Sequence, residues 1–310
     1  MHKSVLLKET IKYLNIVEDG IYIDATLGYG GHSGEILKKI TRGYLFAFDQ
    51  DVDAINYSKK YLDKIGSNFT IIKSNFKNIK EKLEELNINE VDGILFDLGV
   101  SSPQLDNASR GFSYHNNAPL DMRMDYDNPL NAYEVINNYD VKMLFKIIKD
   151  YGEETYAKKI SLNIDKFRKI KPIKTTYELS EIIKDSYPYK KKILHHPARK
   201  TFQAIRIEVN HELDILEDSI NNALSLLKSK GVLCVITFHS LEDRIVKNIF
   251  KRVTEVNHEL KNLPIIPEEY QPKYRLVTKK VIVPQISEIE ENNRSRSAKL
   301  RVIERLWKDE

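Results

Sequence analysis

The 310-residue chain is 41% hydrophobic and 30% charged, which allows a packed core and excludes wholesale disorder. Its 49 Lys and Arg against 45 Asp and Glu leave a net charge of only +4, so any nucleic-acid surface has to be local. A single cysteine, Cys234, excludes an internal disulfide framework and a cysteine-based zinc site. No apolar run approaches the ~20 residues of a membrane helix, and the start, Met1-His2-Lys3-Ser4-Val5-Leu6-Leu7-Lys8, is too short an apolar stretch for a signal peptide. The expectation is a cytoplasmic protein of two parts.

Four strand-like runs come first: Gly20-Ile21-Tyr22-Ile23-Asp24, Tyr44-Leu45-Phe46-Ala47-Phe48-Asp49, Phe69-Thr70-Ile71-Ile72-Lys73 and Val91-Asp92-Gly93-Ile94-Leu95-Phe96-Asp97. Short apolar runs with helix-length spacers predict βαβ units and a mostly parallel α/β sheet. Three of the four end in Asp, at the strand ends where an open α/β sheet keeps its ligand crevice. From 106 to 207 no comparable strand occurs. This stretch opens with a polar loop from Arg110-Gly111-Phe112 to Asp121-Met122-Arg123-Met124-Asp125, followed by helical patterns. Val141, Leu144, Phe145 and Ile148 share one helix face, and Thr175 with Glu178 has the spacing of a capping box. A structureless loop of that length would be exceptional in a compact domain, so 106–207 is predicted to be an inserted helical domain. The sheet domain then comprises 1–105 and 208–310. Leu213, Leu216, Ile220, Ala223, Leu224 and Leu227 predict a helix, and Gly231-Val232-Leu233-Cys234-Val235-Ile236-Thr237-Phe238 a buried strand. A helix follows, with Ser240 and Asp243 placed as its cap. Two late strands are expected, over 274–283 and 299–306, with a loop over 288–297 between them.

The first chemical site is Asp24-Ala25-Thr26-Leu27-Gly28-Tyr29-Gly30-Gly31-His32, between a strand and a helix. Glycines there permit a sharp turn and close ligand approach. Asp49, at the next strand end, lies 19 residues past Gly30 and can accept hydrogen bonds from ribose hydroxyls. The pair describes a nucleotide-type cofactor site. Counting G-x-G-x-x-G from Gly28 puts Ser33 at the last position. Asp24, just before the loop, would repel a pyrophosphate and welcome an ammonium. Both observations favour S-adenosylmethionine over a nicotinamide dinucleotide. Phe76, after the third strand, has the place of a ring covering an adenine, although core packing accounts for a lone Phe more simply.

The second site, Asp97-Leu98-Gly99-Val100-Ser101-Ser102-Pro103-Gln104, stands where amino-methyltransferases carry polar acceptors that grip an exocyclic amine. It lacks their usual double proline and aromatic. Ser102 is the candidate catalytic residue. The third is the segment 187–206, Tyr187-Pro188-Tyr189-Lys190-Lys191-Lys192 onward to Arg199-Lys200 and Arg206, with six Lys and Arg and no acid. Cations interleaved with Tyr, His and Phe suit phosphate contact and base stacking. Lys190, Lys191, Lys192, Arg199 and Lys200 are the candidate RNA-binding residues; the alternative is a solvated run with Arg199 buried against a carboxylate. His195-His196 has no further ligand spaced for a metal, so none is expected. His239 is either a helix cap or a substrate contact.

Several long stretches resemble one family. These are Gly28-Tyr29-Gly30-Gly31-His32-Ser33, Asp92 through Asp106, Arg110-Gly111-Phe112-Ser113, Pro119-Leu120-Asp121-Met122-Arg123-Met124-Asp125, Tyr151-Gly152-Glu153-Glu154, His196 through Ile207, Phe238-His239-Ser240-Leu241-Glu242-Asp243-Arg244 and Arg294 through Arg301. In this order they resemble the bacterial small-subunit ribosomal RNA (cytosine-N4)-methyltransferase H family, also called MraW; Lys200 stands where that family often has Arg. The resemblance implies a class I, Rossmann-like methyltransferase domain with an inserted helical domain. It also implies methyl transfer from S-adenosylmethionine to N4 of a cytidine in the decoding region of 16S ribosomal RNA, within the small subunit and without metal or membrane. Carried over to this chain, it implies cofactor contacts at Gly30, Gly31, His32, Asp49, Phe76, Asp97 and Gln104. An RNA-binding assembly factor on a decayed methyltransferase fold, a nicotinamide oxidoreductase and a protein methyltransferase are the competing readings.

Overall fold

Strands buried on both faces become the spine of the molecule. The structure is a computed structural model that describes residues 4–188, 196–256, 267 and 270–307. It divides into two units, Met1–Gly99 with Leu213–Glu310, and Val100–Glu212.

In the first unit the elements run α1 (Leu7–Leu14), β1 (Ile21–Asp24), α2 (Gly31–Leu37), β2 (Tyr44–Asp49), α3 (Val52–Leu62), β3 (Phe69–Lys73), α4 (Ile79–Glu85) and β4 (Val91–Asp97). The second unit holds α5 (Ser102–Asp106), α6 (Ala132–Asn138), α7 (Val141–Asp150), α8 (Ala157–Arg168), α9 (Thr176–Asp185) and α10 (Ala198–Asn210). The first then resumes with α11 (Leu216–Ser225), β5 (Leu227–Thr237), α12 (Ser240–Thr254), β6 (Tyr274–Leu276), α13 (Ile286–Glu291) and β7 (Lys299–Arg305).

The seven strands form one sheet in the order β3-β2-β1-β4-β5-β7-β6. β1 through β5 pair in parallel, and β7 runs antiparallel to both β5 and β6. This is the class I methyltransferase arrangement. Side chains alternate between faces with period 2. Ile23, Phe46, Phe48, Ile94, Phe96, Leu233 and Val235 enter one buried cluster, and Tyr22, Leu45, Ala47, Leu95, Cys234 and Ile236 the other. Both faces are apolar, so the strands read as unbroken apolar runs in the sequence. The chain lays β2 and β3 outward on one side of β1, then returns to lay β4 on the other. The crevice beyond the ends of β1 and β4 is therefore a topological switch point.

Three local expectations need correction. The 288–297 stretch is not a loop: it folds as α13 followed by a 3-10 turn at Asn293–Ser297. Glu288 Oε1 accepts the Leu6 N–H at 2.8 Å, and Asn292 Oδ1 accepts the Arg294 N–H at 3.2 Å. The strand expected over 274–283 is only Tyr274–Leu276, with Ile282 bridging Leu300 on its own. The cap of α12 is His239 rather than Ser240; Asp243 instead takes Lys299 Nζ at 3.0 Å and Arg301 Nε at 2.8 Å.

The second unit has its own apolar core, built from Leu144, Ile148, Ile160, Leu179, Ile183, Phe202 and Ile205 among others. The capping box of Thr175 and Glu178 forms at the start of α9. The unit begins at Val100 and ends at Glu212, outside the sequence-based limits of 106 and 207, because α5 and the last turn of α10 belong to it. Its long loop between α5 and α6 is held by polar contacts rather than by regular structure. Buried Arg110 donates to the carbonyls of Arg123 at 2.9 Å and Met124 at 3.2 Å. Gly111 turns with φ +72°, and a Cβ there would meet the Pro119 carbonyl oxygen at 2.4 Å. Buried Asn210, near the end of α10, accepts the Met124 N–H and donates to the Met122 carbonyl, both at 2.8 Å. Among the described residues no helix is long and apolar enough to cross a membrane.

Asn210→Ala strands a buried N–H and a buried C=O at once. Each lost partner costs ~1–3 kcal/mol, so urea denaturation is expected to show a loss of roughly 2–4 kcal/mol.

Candidate cofactor-binding site

Parallel pairing brings the last residues of β1, β2 and β4 to one edge of the sheet, and each of those residues is an aspartate: Asp24, Asp49 and Asp97. Among the described residues no Lys or Arg pairs with any of the three.

Asp24 is 1% exposed. It accepts the Ser33 hydroxyl at 2.7 Å and the Thr26 N–H at 3.2 Å, so it ties the start of the glycine loop to the first turn of α2. Asp49 accepts the Gly28 N–H on Oδ2 at 2.7 Å and the Asp51 N–H on Oδ1 at 2.8 Å. Each oxygen has a second lone-pair site, so Asp49 retains acceptor capacity. Burial pushes both carboxyls up to about 6 against the downward pull of these hydrogen bonds.

Asp97 has no such donors. Its backbone N–H reaches Thr26 Oγ1 at 2.6 Å, which pins the end of β4 to the loop after β1. Its Oδ1 is buried without a hydrogen-bond partner, and Oδ2 lies 3.6 Å from His32 Nδ1. Burial, then the charges of Asp24 and Glu242, raises its carboxyl well above the usual range. His32 is more deeply enclosed, with Nε2 lacking a hydrogen-bond partner, and burial pulls its imidazole down to about 4.

The glycine loop is explained by packing within the chain. Gly30 turns with φ +78°, and a Cβ on Gly31 would lie 2.0 Å from Ser4 Oγ. The N-terminal segment thus places a packing constraint of its own on Gly31, beside the expected approach of a ligand. Phe76 sits half-buried in the 3-10 turn after β3, edge-on to Phe96 with ring centroids 5.4 Å apart. The loops after β2 and β3 are joined by Asn75 Nδ2 donating to Gln50 Oε1 at 2.8 Å.

The remaining candidates are carried by α5, α10 and α12. Ser102 is buried at the first position of α5, and Gln104 closes a capping box with Ser101, whose N–H reaches Gln104 Oε1 at 2.9 Å. Arg199 and Lys200 are exposed in the first turn of α10, which removes the reading of a buried Arg199. Lys190, Lys191 and Lys192 fall outside the described residues. His239 caps α12: Glu242 accepts the N–H groups of Phe238 and His239 at 2.8 and 3.3 Å. Two contributors escaped the sequence reading. Thr26 was visible only as a small polar residue inside the glycine loop. Glu242 was visible only as one acid in a capping pattern, because its burial and its electrostatic reach to Asp97 are tertiary facts.

A family model for MraW methylases matches residues 1–306. The chain belongs to the MraW methylase family. Solved structures similar to it include an rRNA methylase from Streptococcus thermophilus, at 11% identity and TM-score 0.46 over 99% of each chain. A SAM-dependent O-methyltransferase from Thermotoga maritima has 10% identity and TM-score 0.42, over 100% of this chain and 69% of that one. NSun6 from Pyrococcus horikoshii has 14% identity and TM-score 0.44, over 99% of this chain and 53% of that one. This MraW methylase uses S-adenosylmethionine. The site fits that cofactor: three carboxylates without a lysine or arginine partner, one with an orphaned buried oxygen, suit a molecule carrying an ammonium and a sulfonium.

A carboxyl titrating above its unfolded value makes the folded protein less stable at high pH, and stability returns as pH falls through the folded value. Asp97→Asn removes a buried charge and loses no side-chain donor. The ligand-free variant is therefore expected to be more stable than the wild type at pH 8. Urea denaturation at pH 8 and pH 5 should show the gain shrinking at the lower pH, and the variant should bind S-adenosylmethionine poorly.

Proposed function

We propose that this methylase transfers a methyl group from S-adenosylmethionine to N4 of a cytidine in the decoding region of 16S ribosomal RNA, acting in the cytoplasm on RNA within the small subunit. The observation that carries the cofactor half is the set of three strand-end aspartates without a lysine or arginine partner. The RNA half is supported by family membership over nearly the whole chain and by the charge distribution. Val100–Glu212 holds 19 Lys and Arg against 15 Asp and Glu, so the chain's positive excess of +4 lies in the inserted unit.

When bound, the cofactor supplies an electrophilic methyl on a sulfonium. Asp49 holds the ribose hydroxyls with the lone pairs left after its two backbone donors. Asp24, through Ser33 and Thr26, fixes the loop that carries Gly30, Gly31 and His32 against the cofactor. Phe76 covers the adenine, and Gln104 adds a polar contact. The cytosine amine is a weak nucleophile because its lone pair is delocalised into the ring, so the work of the protein is positioning. Asp97, with its unpartnered oxygen, and Ser102 accept the amine hydrogens and favour a pyramidal nitrogen. The proton departs after transfer, so no strong base is required. A stacked or paired target base has to be swung out of its helix. Arg199 and Lys200, with Lys190, Lys191 and Lys192, hold the RNA phosphates.

Asp49→Ala is expected to weaken S-adenosylmethionine binding roughly ten- to a hundredfold in a folded protein, from the loss of charged hydrogen bonds worth ~1.5–3 kcal/mol each. Because Asp49 and Asp24 take up protons near pH 6, affinity for this cation should fall between pH 7 and pH 5. Calorimetry across that range checks both. The RNA target is tested by mass-spectrometric mapping of methylated nucleosides in ribosomal RNA from cells with and without the gene. Loss of one N4-methylcytidine in 16S RNA is the expected result; loss of a mark on another base or another RNA overturns the assignment.

A further inference from the structure

An aromatic cluster in the inserted unit takes no part in the cofactor site. The Tyr114 and His196 rings stack at 4.3 Å between centroids with 17° between their planes. His115 leans on both, 4.5 Å from Tyr114 and 5.4 Å from His196. Tyr114 also meets Phe202 of the unit's core edge-on at 5.6 Å, which anchors the cluster to α10. His115 is exposed, whereas Tyr114 and His196 are half-buried. The outermost ring is therefore held by a stack whose own position is fixed from below.

Three features of the surroundings select the occupant. Arg199 is exposed one turn into the same helix, and its charge is felt by Tyr114. Lys200 is exposed beside it, with Nζ donating to the Glu153 carbonyl at 2.7 Å. Lys184 and Glu181 both act electrostatically on His196, and they pair with each other at 2.6 Å, so that acid is already neutralised. Burial, then Lys184 and His115, lowers the His196 pKa, which keeps that ring a neutral stacking surface at pH 7. An exposed flat ring next to a guanidinium that pairs with no carboxylate among the described residues matches the two halves of a nucleotide, a base face and a phosphate.

We infer that His115, supported by the Tyr114–His196 stack, is a stacking site for an unpaired base of the RNA substrate, with Arg199 on the adjoining phosphate. This rests on the reading that the substrate is RNA. His115 is a positioning residue here: it holds a neighbouring base and touches none of the reacting atoms.

The test uses the full-length protein and a fluorescein-labelled single-stranded RNA oligonucleotide carrying the target sequence, with anisotropy measured across a salt series. His115 is exposed, so His115→Ala should fold with an unchanged melting temperature. Its RNA affinity should fall roughly 5- to 100-fold, the range of one lost stacking contact. His115→Phe should restore most of the affinity, which a purely structural role would not do. Arg199→Ala should instead flatten the log–log salt slope by about 0.7. S-adenosylmethionine affinity should be the same in all three variants. If the wild type binds the RNA and His115→Ala binds it equally well, the stacking site is overturned while the RNA reading stands. If the wild type does not bind RNA at all, both fall together.

Discussion

Three aspartates sharing one sheet edge, with no lysine or arginine among the described residues to balance them, form the constraint around which the rest is arranged. Hydration is the ordinary refuge of a carboxylate; Asp24 is denied it almost wholly, and Asp97 at its covered Oδ1. Left alone, such groups neutralise by taking up protons, and the upward pull on all three carboxyls expresses that tendency. The backbone opposes it unevenly. Asp24 and Asp49 each receive two donors, which keeps them near the charged state at neutral pH. Asp97 receives none on its side chain. The edge therefore holds two carboxylates fixed by their own loops and a third left to whatever enters the crevice, a graded arrangement that a cationic ligand completes.

Much of this was legible before any coordinates, for a physical reason. Strands buried on both faces cannot hide their composition, so β1, β2, β4 and β5 stand out as apolar runs, and the alternation with helices dictates the parallel sheet. Asp49 and Asp97 were legible because a strand end is where the run stops, and an acid there breaks the pattern. The perturbed titration of these groups was not legible, since it depends on how much protein covers each carboxyl. Gly31 shows the same limit at short range: two adjacent glycines announce a close approach, but the approaching atom, Ser4 Oγ, comes from another stretch of chain. The 288–297 segment misled because its polarity looks like a loop, while its helical turns are held by Glu288 reaching back to Leu6.

The boundaries of the inserted unit show how local conformation, rather than composition, ends a unit. A composition change places the limits near 106 and 207, yet α10 continues to Asn210 and α5 already belongs to the insert. The actual crossings coincide with left-handed residues: Gly99 at φ +91° on the way in and His211 at φ +52° on the way out. A glycine takes that conformation freely; a histidine does so at some cost, and here it ends α10 with its N–H on the Glu208 carbonyl.

The separateness of the two cores then bears on how chemistry and recognition divide. The sheet domain buries its apolar side chains in two clusters against the strands, and the insert buries its own around α7, α8, α9 and α10. Each unit thus has an apolar core of its own. The polar contacts that order the α5–α6 loop, from Arg110 and Asn210, likewise stay within the insert. The positive excess of the chain and the Tyr114–His115–His196 stack both lie there. A methyl donor that is cationic and a substrate backbone that is anionic need opposite electrostatic surroundings. Placing the acids at the sheet edge and the excess of cations on a separately packed unit meets both demands in one chain.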